Sequence, residues 1–494
     1  MLDRMTLLLH LLLALVAAAP AAGNREGDYN EGVRSNWTTS PASTLPDLNG
    51  SAFPQYRPIF EAGECDHADA LPNGRQYPLP GGGGTTQIDP DKICFSCFRI
   101  PTLLAGTTPG VVHAFAEARR GEQRSPGWCP DGPDTRLVYT RSIDHGATWS
   151  PLSVFLQDPA KRAENGLCQS QAAPVIDPVT KTLFVGFTAN LPGCQAEALR
   201  AKSYKTTPML VNSTDDGLHW SKPYELTGNS VRSAFGPSFG PTKGLTVKRA
   251  SGGMRLLLPG ENGWSAAVFS DDGGATWQSN ALNKSYTLSP GEMDWTICSN
   301  GTSCPPGMKF IMVSRSLGPH AKVCKTMCTQ FSADGLVWSE PIATINGPNN
   351  INVGQGHAKP GIVAVPGAFI WSATLQRCPV GVKVNPDQSC GVPGTPSYRS
   401  RQPSDVFNSG MCLMISKDGI HWSLFKKTWP LSGMYTTAAG LTFDEDGAAL
   451  TYAIVFAAGS LPWSRSGHIY YMNFTAMHPN GTMDDELATA IAKL

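Results

Sequence analysis

Short apolar runs alternate with turn residues along most of the chain. From about Asp89 onward the runs are mostly four to eight residues long, and they include FRIPTLL, RLVYTRS, TLFVGFTA, KFIMVSRS and GMCLMIS. Runs of this length, bounded by Gly, Pro, Asn and Asp, predict β-strands. The C-terminal sequence DDELATAIAKL is the one clear candidate for a short helix. The pattern therefore predicts an all-β fold.

A turn motif, Ser-x-Asp-x-Gly-x-Thr-Trp, recurs along this series of runs. Two copies match at every position, one copy replaces only the Thr, and two shorter copies lack one residue. We number these copies Asp boxes 1 to 5, and they occupy residues 142–149, 213–220, 270–277, 332–338 and 416–422. Internal repeats at such spacing indicate an architecture built from repeated units.

The chemistry of the motif explains its spacing. The Asp carboxylate can fold back onto backbone N–H groups of the turn, Gly supplies a positive φ, and Trp buries the hairpin against its neighbour. Each box follows an apolar run and precedes a possible outer strand, so one box per small sheet predicts a β-propeller. The Asp residues are then structural. A calcium loop would need more oxygen ligands than this turn offers.

The first residues have the order of a secretory signal peptide, which we assign to residues 1–22. Arg4 precedes an apolar run from about Leu7 to Val16, and small residues follow. The run is shorter than the roughly 20 apolar residues that a membrane-spanning helix needs. We therefore expect the protein to enter the secretory pathway and to be lysosomal, at the cell surface or secreted, with no membrane span.

The remaining chain divides by composition. Residues 23–87 are rich in Pro, Gly, Asn and Ser and end in PLPGGGGTT, which is typical of an extension or linker. We place the propeller at residues 88–480 and a C-terminal tail at residues 481–494. Gly 51, Pro 40 and only 16% charged residues suit short strands and tight turns.

Thirteen cysteines in an exported chain favour disulfides. Cys94 and Cys97 have the spacing of a redox or zinc pair, but no second ligand pair at metal spacing accompanies them, so a structural disulfide role is favoured. Three other pairs are close enough in sequence to form local disulfides inside loops: Cys298 with Cys304, Cys324 with Cys328 and Cys378 with Cys390.

Charge and glycosylation motifs agree with an extracellular or lumenal protein. Lys+Arg 39 balances Asp+Glu 39, so no global field favours nucleic acid or an anionic membrane surface, and we expect no nucleic-acid partner. Seven Asn-x-Ser/Thr sequons fit a lumenal location. They lie at Asn36, Asn49, Asn212, Asn283, Asn300, Asn473 and Asn480.

The opening of the propeller region resembles the sialidase (exo-α-neuraminidase) family, with the lysosomal-type animal sialidases most similar. The resemblance rests on Phe98-Arg99-Ile100-Pro101, on the sequence FAEARR at 115–120, and on the Asp box that follows. It implies a six-bladed β-propeller that hydrolyses terminal α-linked sialic acids of glycoproteins, glycolipids such as gangliosides, or oligosaccharides, with retained configuration. It implies no metal and no organic cofactor. A sixth blade would have an unmarked turn.

The substrate explains the arginines that the resemblance implies. Sialic acid carries a carboxylate on its anomeric carbon, and planar bidentate Arg donors suit that group. Arg99 matches the first of three family arginines, and Arg315, at the end of an apolar strand, resembles the second. Arg399 is our choice for the third, with Arg401 and Arg377 as alternatives.

The same carboxylate favours a neutral nucleophile, because it would repel an Asp or Glu. Tyr435, after a Gly/Ser turn, fits the family's nucleophile, and Glu292, 23 residues before Arg315, fits its base. Asp131, 11 residues before box 1, matches the family's acid, and Asp134 is the alternative.

Two further residues complete the expected site. The resemblance implies that Arg119 contacts substrate near the carboxylate, and that Glu117 holds Arg99 by a charge-assisted pair. The alternative functions are a non-catalytic propeller acting as a lectin or sorting receptor, because box repeats specify fold and not activity, and a trans-sialidase.

Overall fold

Small antiparallel sheets follow one another along the chain, as the repeat of the Asp boxes predicts. The computed structural model describes the residues 57–61, 95, 97–119, 135–156, 168–191, 205–226, 238–261, 265–281, 292–315, 324, 327–346, 359–376, 408–444, 448–458 and 468–494. These residues form six blades of a β-propeller and one short helix. The predictions of an all-β fold and of a six-bladed propeller are therefore confirmed.

Blades 1 and 2 each contain four strands. Blade 1 consists of β2 (Cys97–Ala105), β3 (Val112–Arg119), β4 (Thr135–Ser142) and β5 (Ser153–Val154). Blade 2 consists of β6 (Cys168–Ile176), β7 (Leu183–Leu191), β8 (Lys205–Ser213) and β9 (Tyr224–Glu225). In both blades, every strand pairs with the next one along the chain, and an Asp box joins the third strand to the fourth.

Blades 3 and 4 keep this plan, with one extra strand in blade 3. Blade 3 consists of β10 (Ser238–Phe239), β11 (Leu245–Lys248), β12 (Met254–Glu261), β13 (Ser265–Ser270) and β14 (Gln278–Ala281). Both β10 and β11 pair with β12. Blade 4 consists of β15 (Met293–Ile297), β16 (Phe310–Arg315), β17 (Met327–Ser332) and β18 (Ile342–Ala343).

One long strand, β23 (His421–Phe443), connects blades 5 and 6. Its first part pairs with β22 (Asn408–Ser416) as the outer strand of blade 5, and its second part pairs with β24 (Ala449–Ala458) as the inner strand of blade 6. The other strands of blade 5 are β20 (Gly361–Val365) and β21 (Ala368–Gln376), and the short β19 (Ile345–Asn346) pairs in parallel with the start of β23.

The N-terminal strand of the described chain completes blade 6. This strand, β1 (Arg57–Phe60), pairs with β25 (His468–Thr475), the strand that follows β24. The sixth blade has no Asp box because its outer strand comes from the other end of the chain and needs no hairpin turn. Residues 57–60 lie within the segment 23–87, so part of the predicted extension belongs to the propeller.

The predicted C-terminal helix is present as α1 (Asp485–Ala492). Asp484 caps its N-terminus, because the Asp484 carboxylate accepts a hydrogen bond from Leu487 N at 3.0 Å. Leu487 is buried in the apolar core between blades 5 and 6. The segment 481–494 is therefore packed on the propeller.

Hydrogen bonds between the inner parts of neighbouring blades join the blades into a closed ring. Each of the six blade contacts is represented by one bond: Thr102 Oγ1 to Ala172 O (3.0 Å), Gly244 N to Pro174 O (2.6 Å), Thr242 Oγ1 to Asp294 Oδ1 (2.6 Å), Ile362 N to Asp294 Oδ2 (2.9 Å), Ser372 Oγ to Thr436 Oγ1 (2.7 Å) and Thr437 Oγ1 to Pro101 O (2.8 Å). The apolar core of the described chain is divided in the same way, into six clusters that each lie between two neighbouring blades.

The Asp boxes form the turn that their sequence predicts. In box 1, Thr148 N donates to Asp144 Oδ1 at 2.7 Å, Gly146 N donates to Ser142 Oγ at 2.8 Å, and Gly146 has φ 82. The Trp149 indole donates to Gly146 O at 3.2 Å. In box 2, His219 N and Nδ1 take the place of the Thr groups on the carboxylate of Asp215. Side-chain hydrogen bonds therefore hold each turn closed without a metal ion.

Two of the predicted local disulfides are present. Cys298 is bonded to Cys304 and Cys324 to Cys328, and Cys97 is also in a disulfide. Cys378 and Cys390 lie outside the described residues. The structure thus confirms two pairs that sequence separation alone suggests.

Candidate active site

Strand direction separates the Asp boxes from the candidate site. First and third strands of an antiparallel sheet run the same way, and the boxes follow the ends of third strands. Arg99 and Tyr435 lie near the beginnings of first strands, and Glu292 directly precedes one. Glu117 and Arg119 lie at the end of a second strand, which is the same end of the blade. The candidate residues therefore share the face opposite the boxes.

The structure brings three predicted residues from blades 1, 4 and 6 together. The Tyr435 hydroxyl donates to Glu292 Oε1 at 3.4 Å, and the Arg99 guanidinium lies over the Tyr435 ring, with Cζ 4.9 Å from the ring centroid. Arg99 and Tyr435 are buried, with 8% and 7% of their surfaces exposed, whereas Glu292 is half-buried. The cluster thus places a tyrosine hydroxyl between a carboxylate and a cation in a largely desolvated position.

The inner strands that carry these residues share an irregularity. Ile100, Gln171 and Tyr435 have φ values of 54, 60 and 49, a region that non-glycine residues rarely occupy. In each strand the pairing register shifts at this point, as in a β-bulge. A bulge re-aims the neighbouring side chains, and such bulges are frequent next to active sites. The local backbone thus sets the direction of the side chains of Arg99 and Tyr435.

Beside Arg99, a buried ion pair links β3 to blade 2. Arg119 Nη2 donates to Glu117 Oε2 at 2.7 Å, with both side chains less than a tenth exposed. Glu117 Oε1 accepts from Gln171 N at 3.3 Å, which ties this pair to the bulge in β6. Arg99 and Glu117 are directly paired in the β2–β3 register. The expected charge-assisted pair between Glu117 and Arg99 stays a prediction, and the ion pair observed is with Arg119.

Glu292 and Arg315 belong to one hairpin. Met293 pairs with Ser314 in the register of β15 and β16, so the next position places Glu292 opposite Arg315. The Cys298–Cys304 disulfide lies in the connection between these strands. The long sequence separation of Glu292 and Arg315 therefore results from an inserted loop, as the sequence analysis expects.

Sequence reasoning missed a buried polar network behind Glu292. Asp294 is fully buried and accepts from Lys243 Nζ at 2.7 Å and from Ile362 N at 2.9 Å. Lys359 lies on the far side of the same inner region, where its Nζ donates to Thr436 O at 3.1 Å. Burial lowers the pKa of Lys243, although the charge of Asp294 opposes that shift. No motif marks these residues, because their partners lie in other blades.

The remaining candidates cannot be placed. Asp131 and Asp134, and the arginines Arg399, Arg401 and Arg377, lie outside the described residues. Their assignment stays a prediction.

The comparisons with known proteins agree with this arrangement of strands and boxes. The profile of the BNR repeat-like domain family matches residues 127–431, which is more than half of the chain. The chain belongs to this family. Two curated relatives carry sialidase names: Sialidase-2 of Rattus norvegicus, 30% identical over 172 residues, covering 33% of this chain and 42% of the relative, and an Exo-alpha-sialidase of Arthroderma benhamiae, 26% identical over 286 residues, covering 52% and 60%.

These matches confirm the resemblance to the sialidase family and span about half the length of each relative. A solved structure of a protein of unknown function from Dyadobacter fermentans is also similar to this BNR repeat-like chain. It is 12% identical, covers 86% of this chain and 100% of its own, and has a TM-score of 0.50, which supports the fold alone. Among the described residues, none forms a helix with the length and apolarity that crossing a membrane requires.

Proposed function

We propose that this protein is an exo-α-sialidase that removes terminal sialic acids with retained configuration. The observation that carries the proposal is the cluster of Arg99, Tyr435 and Glu292, three side chains from three blades that meet at one end of the propeller. Membership of the BNR repeat-like family and the sialidase names of the relatives support the same activity. The activity makes the protein a glycoside hydrolase.

Substrate binding depends on the arginines. Arg99, together with Arg315 and Arg399, binds the sialic acid carboxylate through bidentate hydrogen bonds. The buried position of Arg99 supports this role, because a desolvated guanidinium binds an anion more strongly than an exposed one does. Arg401 and Arg377 are the alternatives to Arg399. All three follow β21 and precede β22, a connection between a second and a third strand, as the site face requires.

The chemical step uses a neutral nucleophile. Glu292 accepts the proton of the Tyr435 hydroxyl while the Tyr435 oxygen bonds to the anomeric carbon and the bond to the leaving oxygen breaks. Asp131 donates a proton to that leaving oxygen. Water then attacks the same carbon, Asp131 takes the water proton, and Tyr435 leaves and recovers its proton from Glu292. Two inversions at one carbon retain its configuration.

Arg119 contacts the substrate near the carboxylate, and Glu117 orients it. The 2.7 Å bond between these two side chains supports the orientation, because it fixes the guanidinium from the protein side. Gln171, which no sequence motif marks, ties Glu117 to the neighbouring blade through its backbone N–H. None of these steps uses a metal ion or an organic cofactor.

We also propose that the protein works in an oxidising compartment, reached through the secretory pathway. The disulfides Cys298–Cys304 and Cys324–Cys328 support this location, since such bonds persist in lumenal and extracellular proteins. The proposed substrates are sialylated glycoproteins, glycolipids or oligosaccharides.

A turnover assay with a fluorogenic α-sialoside at mildly acidic pH tests the function. We expect turnover by the unaltered protein, none above background with Tyr435→Phe, and strong loss with Asp131→Ala for a substrate with a poor leaving group. Tyr224→Phe is the matched control, because Tyr224 lies on the outer strand β9 and is 39% exposed. Absence of turnover by the unaltered protein would contradict the enzyme proposal. Nuclear magnetic resonance of the first product tests retention, and added lactose reveals any transfer.

A further inference from the structure

Lys359 binds the backbone that follows the proposed nucleophile. The residue is 1% exposed and lies just before β20, and its Nζ donates to Thr436 O at 3.1 Å and to Thr437 Oγ1. In the other direction, Thr436 N donates to Lys359 O at 3.0 Å. Lys359 therefore contacts Thr436 from both its backbone and its side chain, and Thr436 directly follows Tyr435.

The same lysine reaches the strand of Arg99 through one intermediate. Thr437 Oγ1, which accepts from Lys359, donates to Pro101 O at 2.8 Å. Pro101 follows Ile100, whose φ of 54 marks the bulge in the Arg99 strand. Left-handed conformations at Ile100 and Tyr435 cost free energy and persist only where surrounding contacts hold them. The chain of bonds from Lys359 joins both positions and supplies such contacts.

Lys359 also contributes a charge behind the site. Burial lowers the pKa of Lys359 to about 7, although Asp294 and Glu292 favour its charged form, and Lys243 opposes that form. Below this pH the ammonium group is charged, and it attracts the Glu292 carboxylate through protein rather than through water. The charge therefore favours the ionised Glu292 that the proposed mechanism requires.

We infer that Lys359 is a positioning residue, which holds Tyr435 and Arg99 in their reactive arrangement and keeps Glu292 ionised. The inference rests on the proposed function and adds a residue that touches neither substrate nor reacting atoms. Its hydrogen bonds determine geometry, and its charge determines the lowest pH at which Glu292 accepts a proton.

Two substitutions separate these contributions. Lys359→Met removes both the hydrogen bonds and the charge, whereas Lys359→Gln removes the charge and keeps a donor. Lys222→Met is the matched control, since Lys222 is exposed just after box 2. We expect Lys359→Met to lower kcat on the order of 100-fold, because displacing reacting groups by a fraction of an ångström has effects of that size. Lys359→Gln should retain more kcat than Lys359→Met.

The pH profile gives the readout that a merely structural role would not move. In both Lys359 variants we expect the acid limb of kcat/KM to shift to higher pH, since the charge that keeps Glu292 ionised is gone, while Lys222→Met leaves it in place. Unchanged kcat in Lys359→Met, or an unmoved acid limb in both variants, would overturn the inference. Thermal unfolding establishes first that each variant is folded, and if Lys359→Met is not, the acid limb of Lys359→Gln decides.

A binding measurement distinguishes failure of the inference from failure of the proposed function. Calorimetry with an unsaturated sialic acid analogue, planar at the anomeric carbon, needs no turnover. We expect weaker binding by Lys359→Met than by Lys222→Met, because Arg99 loses its support. If the unaltered protein binds the analogue without turning over substrate, the proposed function fails. If it turns over substrate and Lys359→Met binds and reacts normally, only the inference fails.

Discussion

The Tyr435 hydroxyl donates a hydrogen bond to the Glu292 carboxylate at 3.4 Å, across a sequence separation of 143 residues. Tyr435 begins the inner part of β23 in blade 6, and Glu292 precedes the inner strand of blade 4. A tyrosine that reacts as a nucleophile needs a base within reach, because a neutral phenol is a weak nucleophile at ordinary pH. The distance is compatible with a contact that tightens when substrate binds.

Glu292→Gln should abolish most of the activity without unfolding the protein. The amide keeps the shape of the carboxylate but accepts no proton from Tyr435. General-base contributions are typically about 10²–10⁴-fold, and we expect kcat to fall within that range. The measurement is kcat and KM with an α-sialoside, with Glu225→Gln on the outer strand β9 as control. Full activity in Glu292→Gln would show that another group takes the Tyr435 proton.

Arg99→Lys should weaken substrate binding even though the positive charge remains. Lysine cannot donate two parallel hydrogen bonds to a carboxylate, and it stacks less well on the Tyr435 ring. The expected loss is about 1.5–3 kcal/mol of transition-state binding, measured from kcat/KM.

Arg255→Lys provides a control with the same local geometry. Arg255 also lies 4.9 Å over an aromatic ring, that of Phe269, and is bound by Asp271, but it belongs to blade 3 and box 3. We expect normal kcat/KM in this variant. An equal loss in both variants would indicate that general destabilisation, and not carboxylate binding, explains the effect of Arg99→Lys.

Local chemistry determined how much of the fold could be predicted from the sequence. An Asp box is complete within eight residues, because its Ser, Asp, Gly and Trp bind one another, so the motif alone predicts the turn and one blade for each box. Blade 6 has no box, and β1, which closes it, pairs with a strand more than 400 residues away. A strand of four residues in a Pro- and Gly-rich segment carries too little pattern to predict this pairing.

The site follows the same rule. Arg99 and Tyr435 could be proposed because each stands in a recognisable local motif. Gln171 and Lys359 could not, since Gln171 acts through its backbone N–H and Lys359 bonds to Thr436 and Thr437 in the next blade. Such contacts depend on how blades meet, and no pattern within one blade reports them.

A buried histidine clamp should make stability depend on pH. His113 is fully buried in blade 1, with Nε2 3.0 Å from Asp216 Oδ1 and Nδ1 2.9 Å from the Tyr139 hydroxyl, and Asp216 belongs to box 2 of blade 2. Burial lowers the pKa of His113, although Asp216 opposes that shift. The folded state therefore prefers the neutral imidazole. Its contribution to stability is complete above the ordinary pKa of 6.5 and is lost as the pH falls below that value.

The partner carboxylate acts in the same direction at lower pH. Burial alone would raise the pKa of Asp216, but bonds from His113, Thr107 and Thr108 hold it well below the usual range. Its contribution is present above the model-compound value of 3.8 and is lost as the pH falls below it.

His113→Gln tests the clamp, because glutamine keeps a donor and does not titrate. We expect its free energy of unfolding to change less than that of the unaltered protein between about pH 7.5 and about pH 5, where only the histidine titrates. Urea unfolding at the two pH values gives the measurement. His219→Gln is the control, since that side chain is 89% exposed. Identical pH dependence in all three proteins would rule out His113 as the titrating group.

Gly146→Ala should destabilise the propeller more than an alanine at another left-handed glycine. A Cβ at Gly146 would lie 2.3 Å from the Tyr471 ring of blade 6, and the position has φ +82. Gly252 has a similar φ of +88, but a Cβ there would meet nothing within 4 Å. Gly252→Ala should therefore cost only the backbone strain, about 1–2 kcal/mol. Gly146→Ala adds the clash with Tyr471, for a total of about 3 kcal/mol or more.

The comparison separates the two duties of an Asp-box glycine. Because the variants share backbone strain, the difference between their free energies of unfolding in urea measures the close packing of box 1 on the neighbouring blade. Gly146→Ala combined with Tyr471→Leu should recover part of that difference, since the ring that opposes the new Cβ is removed and only its buried area is lost. Equal unfolding free energies for Gly146→Ala and Gly252→Ala would mean that the blades separate enough to accept a methyl group, and that the glycine serves the turn alone.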